Sequence, residues 1–177
     1  MKKSIVKLFS ILSIATLIAC GGGEADKKDD AKKPISIGNK TEEAAPEKKV
    51  EDDGVTEIVL ESSDEMKFNR NRLVTKEGNQ VKLTLKHTGQ MSKETMGHNF
   101  VLLAKGTDIM AFGEKAAGAQ ENGYIPEGSE EIIAYTEMIG GGETTTVTFD
   151  APEKGEYDFI CSFPGHVALM KGKFIVE

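Results

Sequence analysis

The sequence predicts an all-β fold over residues 54–177, an antiparallel sandwich or barrel with one short helix outside it. Three observations carry that prediction. Short β-prone runs recur in which apolar and polar residues alternate, so that one face of each can be buried. Turn chemistry separates them, at Glu77-Gly78-Asn79, Thr88-Gly89, Gly140-Gly141-Gly142 and Pro152-Glu153-Lys154-Gly155. A single stretch has helical texture. Strands this short bury enough apolar surface only by facing a second sheet or by closing on themselves.

In chain order, Val55-Thr56-Glu57-Ile58-Val59-Leu60 is the first β-prone run. Residues 80–87 alternate cleanly, with Val81, Leu83 and Leu85 on one face. Asn99-Phe100-Val101-Leu102-Leu103 is short and nearly all apolar. Residues 107–120 are the exception: Thr107 or Asp108 can cap a helix that Ile109, Met110, Phe112, Ala116, Ala117 and Ala119 favour and Gly113 and Gly118 weaken. Ile132-Ile133-Ala134-Tyr135 is the next strand. Residues 143–149 have strong β propensity and alternate at Val147 and Phe149. Gly155 breaks the chain before a strand in which Tyr157, Phe159 and Cys161 share a face, and residues 170–176 close the sheet. No internal repeat is evident.

The chain has 177 residues, of which the first 53 read differently. Residues 1–19 look like an export signal: Lys2, Lys3 and Lys7 precede a mostly apolar run without an acidic residue. That run is too short and too early for a membrane span. It ends in Leu17-Ile18-Ala19-Cys20, which resembles the bacterial lipobox, whose cysteine is lipidated and becomes the mature N-terminus. The alternative is an ordinary signal peptide with an incidental Cys20. Residues 20–53 are dense in Lys, Glu and Asp, with Ile35, Ile37 and Val50 as the only large apolar side chains. Such a segment cannot offset its conformational entropy by burial, so it reads as a disordered tether reaching roughly 30 Å.

The formal net charge is −7; the leader holds three of the 22 basic residues and none of the 29 acidic ones, so the remainder carries −10. An acidic chain without a basic patch is not expected to bind nucleic acid. Its charge favours solubility and basic or apolar partner surfaces.

With Cys20 assigned to targeting, Cys161 is the one thiol left for the folded part and has no internal disulfide partner. Metal ligation would occupy it; simple burial is the alternative. Cys161-Ser162-Phe163-Pro164-Gly165-His166-Val167-Ala168-Leu169-Met170 sets a thiol, an imidazole and a thioether within one loop. Pro164-Gly165 supplies the turn that returns His166 toward Cys161, and Met170 heads the next strand. Met96-Gly97-His98-Asn99-Phe100 offers a second imidazole from far upstream. Two His, a Cys and a Met are the ligand set of a mononuclear blue-copper site. Glycine at 97 and 165 permits close backbone approach.

These motifs resemble the azurin branch of the cupredoxins. The similarity runs over essentially the whole folded region, through Glu65-Met66-Lys67-Phe68-Asn69, Met96-Gly97-His98-Asn99, Met138-Ile139-Gly140-Gly141-Gly142-Glu143, Val147-Thr148-Phe149-Asp150 and the loop just described. The resemblance implies an eight-stranded Greek-key β-barrel with one external helical flap and a type 1 copper. It implies His98, Cys161 and His166 as equatorial ligands, Met170 as the axial one, and the Gly97 carbonyl approaching from the opposite side. It implies that Asn99 and Ser162 hydrogen-bond across the site, with Phe163 beside them. Two departures stand out. Azurins carry a disulfide where this chain has about Thr56 and Gly78, and a tryptophan where it has Phe100. His87 matches a further azurin histidine that is not a ligand; it is either a satisfied buried residue or a modest pH influence on the potential.

Four protein ligands leave no open position for a substrate, so the implied activity is outer-sphere electron transfer and the protein is not expected to be an enzyme. Electrons would leave through His166, within an apolar docking rim of Met96, Phe163, Pro164, Val167, Ala168 and Leu169, joined by Met91. Of these, Phe163, Ala168 and Leu169 are expected to be at least partly exposed. The expected partners are redox proteins such as c-type cytochromes or a terminal reductase. The membrane is reached only through the lipid anchor, and the domain is expected to be a monomer in the periplasm, tethered to the outer membrane. A copper carrier or store without redox traffic, a copper oxidase or nitrite reductase, and a metal-free binding module are the competing readings. The enzymes need copper ligands beyond the three histidines present.

Overall fold

A computed structural model of the chain describes residues 54–177. The expected leader (1–19), the lipidated Cys20 and the tether (20–53) lie outside the described residues. Two sheets face one another. The first has the order β2-β1-β4-β7, built from Lys67–Phe68, Val55–Ser63, Gln80–His87 and Thr144–Asp150. The second has the order β3-β9-β8-β5-β6, built from Arg72–Thr75, Lys171–Val176, Gly155–Ile160, Val101–Leu103 and Ile132–Tyr135.

The alternation read in the sequence is what builds the interior. β1 and β4 run in register from Val55 opposite Gln80 to Ser62 opposite His87, so Ile58 and Leu60 share a face with Leu83 and Leu85. Phe100, Leu102, Tyr157, Phe159 and Phe174 meet them from the second sheet in one apolar cluster. β5 is buried at every position because it is covered on both sides. Leu102 faces the inter-sheet core, while Val101 and Leu103 face a second cluster with Phe112, Ala116 and Ile160.

That second cluster is the seat of the external helix α2, Ile109–Ala117. Asp108 caps it, its carboxylate accepting from Met110 N at 2.9 Å and Ala111 N at 3.2 Å. Gly118 ends it. Helix α1, Lys93–Met96, is a single turn leading into Gly97 and was not visible in the hydrophobic pattern.

Two expectations need correction. The strands are not all antiparallel: β1 runs parallel to β4, and β3 parallel to β9. Parallel neighbours follow from connections that cross between the sheets, which local alternation does not encode. The residue pattern also passed over β2 and β3, which are two and four residues long. Near the position where azurins carry a disulfide, Thr56 Oγ1 lies 2.8 Å from Thr75 Oγ1 and accepts from Asn79 Nδ2 at 3.0 Å. This buried polar trio joins β1, β3 and the turn before β4.

Candidate metal centre

Three separate segments deliver the site. His98 leaves α1 through Gly97 and is pinned by a two-way backbone bridge to Ile139, with both N–H···O distances 2.9 Å. Cys161 stands at the end of β8. The loop after it folds back on itself: His166 N donates to Phe163 O at 3.0 Å, Met170 N to His166 O at 2.8 Å, and Cys161 N to Met170 O at 2.9 Å. Gly165 turns this loop at φ 83°, a left-handed conformation suited to glycine.

The result is a buried cluster of His98, Cys161 and His166 whose ligand atoms all lie within 4.8 Å of one another. Cys161 Sγ is 3.6 Å from His166 Nδ1, 3.9 Å from His98 Nδ1 and 3.9 Å from the Gly97 carbonyl oxygen. The tautomer of His98 is fixed by its other nitrogen. Nε2 sits 3.0 Å from the Ser63 carbonyl, which can only accept, so Nε2 carries the proton and Nδ1 turns its lone pair inward. His166 makes its polar contact through Nδ1. No buried side-chain N or O among the described residues lacks a partner, so the Nε2 edge of His166 must reach the surface although the residue is only 2% exposed.

Burial sets the protonation states. Both imidazoles are held neutral at ordinary pH: desolvation lowers His98 and His166 to about 4. The Cys161 thiol is pushed up to about 11 by burial, opposed by the N–H groups of Asn99 and Phe163 aimed at its sulfur. Two neutral imidazole lone pairs and a thiol that keeps its proton until something replaces it suit a soft cation with a preference for N and S donors.

The surroundings hold the loop rigid. Asn99 and Ser162 exchange two buried hydrogen bonds, Nδ2 to Oγ at 2.8 Å and Ser162 N to Oδ1 at 2.9 Å. A Cβ at Gly97 would lie 2.5 Å from Lys93 O and 3.0 Å from the Met138 sulfur, so only glycine lets the backbone pass the cluster. Phe163 packs its ring on His166, centroids 4.6 Å apart, and meets the edge of Tyr124 at 5.3 Å. His87 stacks on His98 at 4.5 Å. Its Nε2 donates to Met96 O and its Nδ1 accepts from Gly89 N, both at 3.0 Å, so both ring nitrogens are satisfied.

Met170 is fully buried yet belongs to neither apolar cluster, as does Cys161. Around His166, Pro164, Ala168 and Leu169 are exposed, and Phe163 and Met96 are partly so. Val167 is corrected: at 9% exposure it turns inward and packs on α2, where a Cβ at Gly113 would lie 3.0 Å from its Cγ1. Sequence reasoning missed the Ser63 carbonyl behind His98 and Tyr124, whose ring meets Phe163.

The family model described as copper binding proteins, plastocyanin/azurin family, matches residues 55–177. The chain belongs to this family. Azurin of Alcaligenes faecalis is 40% identical over 120 residues, covering 66% of this chain and 94% of that protein. Outer membrane protein H.8 of Neisseria meningitidis serogroup B is 43% identical over 118 residues, covering 64% of this chain; the match spans 63% of that protein's length. Among solved structures, the azurin Az-iso2 of Methylomonas sp. strain J superposes with TM-score 0.63 at 31% identity, covering 68% of this chain and 97% of its own. Reduced auracyanin of Roseiflexus castenholzii gives TM-score 0.63 at 32% identity, covering 69% and 97%. The two-sheet fold with an outer helix is therefore the cupredoxin fold, and the family is one of electron carriers, not enzymes.

Proposed function

We propose that this chain is a type 1 copper electron-transfer protein in which His98, Cys161 and His166 would be the principal ligands, with Met170 and the Gly97 carbonyl as weaker ones. The observation that carries the reading is the buried cluster of two Nδ1 atoms and one Sγ within 4.8 Å. Copper supplies one-electron chemistry, cycling between Cu(I) and Cu(II). The chain supplies the rest. Cys161 gives up its proton when a metal takes its place. The Ser63 carbonyl holds His98 in the tautomer that offers Nδ1, and the Asn99–Ser162 pair keeps the ligand loop from shifting between states. His166 joins the buried sulfur to the surface, where its Nε2 edge forms the exit for an electron.

Around that edge, Phe163, Pro164, Ala168, Leu169 and Met96, with Met91 beside them, form the rim on which a partner docks briefly; Val167 supports it from beneath. The partners are redox proteins such as c-type cytochromes or a terminal reductase, met by a single copy of the domain. Residues 1–19 act as a lipoprotein leader, Cys20 carries the lipid, and residues 20–53 tether the domain within the periplasm. The similarity to a protein named for the outer membrane supports that placement.

Addition of Cu(II) to the purified chain produces an intense visible band that Cys161→Ser abolishes; a colourless protein refutes the reading. Reversible voltammetry and rapid reduction by a cytochrome distinguish electron transfer from storage. Cys20→Ser releases the protein from membranes if the anchor is correct.

A further inference from the structure

The imidazole of His98 is aimed by a carbonyl, and that carbonyl belongs to a turn. Ser63 O accepts from His98 Nε2 at 3.0 Å and from Met66 N at 3.1 Å. Met66 closes the turn at φ 56°, a left-handed conformation that a residue with a Cβ adopts at a cost. Such a turn keeps its shape only where its surroundings over-determine it. Asp64, the second residue of the turn, supplies that constraint. Its Oδ2 accepts from Gln90 N at 2.8 Å and its Oδ1 from Met91 N at 3.2 Å. Gly89 makes room for the carboxylate: a Cβ there would lie 2.1 Å from Oδ1. Thr88 joins the same two segments, its N and Oγ1 donating to Ser62 O at 2.8 and 2.9 Å.

The segment that Asp64 grips then runs through Ser92 into α1 and on to Gly97 and His98. One carboxylate therefore fixes the turn behind the ring and the start of the stretch that carries the ring. His87 fills the space between them, stacked on His98, with its Nε2 3.8 Å from Asp64 Oδ1. The Gln90 N–H bond, as the largest influence, holds the Asp64 carboxyl below its ordinary range, so the acceptor stays ionised at neutral pH.

We infer that Asp64 is a positioning residue for His98, acting through the Ser63 carbonyl that it locks against residues 88–91. The inference rests on the reading of His98 as a copper ligand. An ionised Asp64 also has an electrostatic effect at this distance, and the two roles separate by substitution. Asparagine keeps the shape and one acceptor oxygen but no charge; alanine keeps neither acceptor nor charge.

The test compares Asp64→Asn and Asp64→Ala in the full chain, both copper-free and copper-loaded. In the copper-free protein, hydrogen exchange followed by NMR at Gln90 N–H, Met91 N–H and His98 Nε2–H accelerates by about tenfold for each hydrogen bond removed, more in alanine than in asparagine. In the loaded protein, the reduction potential and the copper hyperfine splitting shift in the same order. Unchanged protection of His98 Nε2–H in the alanine variant, with the two amides opened, overturns the inference, because the carboxylate then only staples the loop. Equal potential shifts in both variants with unchanged His98 exchange overturn it as well, leaving charge alone. A chain that never binds copper yet shows graded exchange at His98 sinks the copper reading and leaves the clamp on the imidazole standing.

Discussion

Asn99 and Ser162, 63 residues apart in the chain, exchange two hydrogen bonds of 2.8 and 2.9 Å in a buried setting. The pair is unequal in what each deletion leaves behind. Asn99→Ala strands both the Ser162 hydroxyl and the Ser162 N–H without partners. Ser162→Ala removes one acceptor and leaves the backbone bond to Asn99 Oδ1 intact. A buried polar group left unpaired costs about 1–3 kcal/mol. Asn99→Ala should therefore lower stability by about 2–4 kcal/mol and Ser162→Ala by about 1 kcal/mol, measured by denaturant unfolding of the copper-free chain. An equal cost for the two would show that the Ser162 N–H finds another partner.

A second pair couples the helix to the ligand loop. Gly113 lies inside α2, where alanine would ordinarily stabilise by up to about 1 kcal/mol. Here a Cβ would stand 3.0 Å from Val167 Cγ1 and 3.3 Å from its Cβ. Overpacking of this kind costs about 1–3 kcal/mol, so Gly113→Ala should destabilise by about 1 kcal/mol. In a Val167→Ala background both Cγ contacts are gone and only the one to Cβ remains, so the same change should lose its cost and stabilise by up to about 1 kcal/mol. A double-mutant cycle of melting temperatures checks the reversal. Additive effects would mean that the loop yields freely, contrary to the packing.

How much of this was open to sequence reading depends on where the information sits. The Cys161–Met170 loop was legible because three rare donor types fall within ten residues. β4 was legible because each of its apolar residues meets the same core, giving unbroken alternation. β3, Arg72–Thr75, was not: its Leu73 and Thr75 are buried, but four residues make too short a pattern. The parallel β1–β4 and β3–β9 pairings depend on crossovers between sheets, not on the strands themselves. Val167 was misplaced because an apolar residue in a turn can face either way, and the bare Cα of Gly113 decides the matter. The Ser63 carbonyl has no signature at all, since every residue has one.

The pH dependence of the copper-free domain follows from its three buried donors. His98 and His166 fall from 6.5 to about 4 on folding, so the unfolded chain binds more protons in between. Their contribution is fully present above pH 6.5 and is lost as pH falls through 4. Cys161 rises from 9.0 to about 11, so its contribution is present below pH 9 and is lost as pH rises through 11. Copper uptake obeys the same protons. Between about pH 5 and 9 only the thiol must release one, so log affinity should rise by about one per pH unit, steepening below pH 4 as the histidines charge. A flat profile from pH 5 to 9 in competition titrations would mean that Cys161 is already a thiolate without metal.

Leu169, three residues beyond His166, is 68% open to solvent and held by its N–H to His166 O at 3.0 Å. Its exposure means that it contributes little to folding, and surface substitutions of this kind usually change stability by less than about 0.5 kcal/mol. If it belongs to a docking rim, it contributes instead to the encounter with a partner. Leu169→Lys should leave the visible band, the reduction potential and the melting temperature nearly unchanged. It should slow electron exchange with a cytochrome by about tenfold, the scale expected when one apolar anchor is removed from the centre of a small interface. Met110, half exposed on α2, serves as the comparison. If Met110→Lys slows exchange as much as Leu169→Lys does, the docking face extends across the helix. If neither changes the rate while His166 still carries the copper, electrons leave by another route.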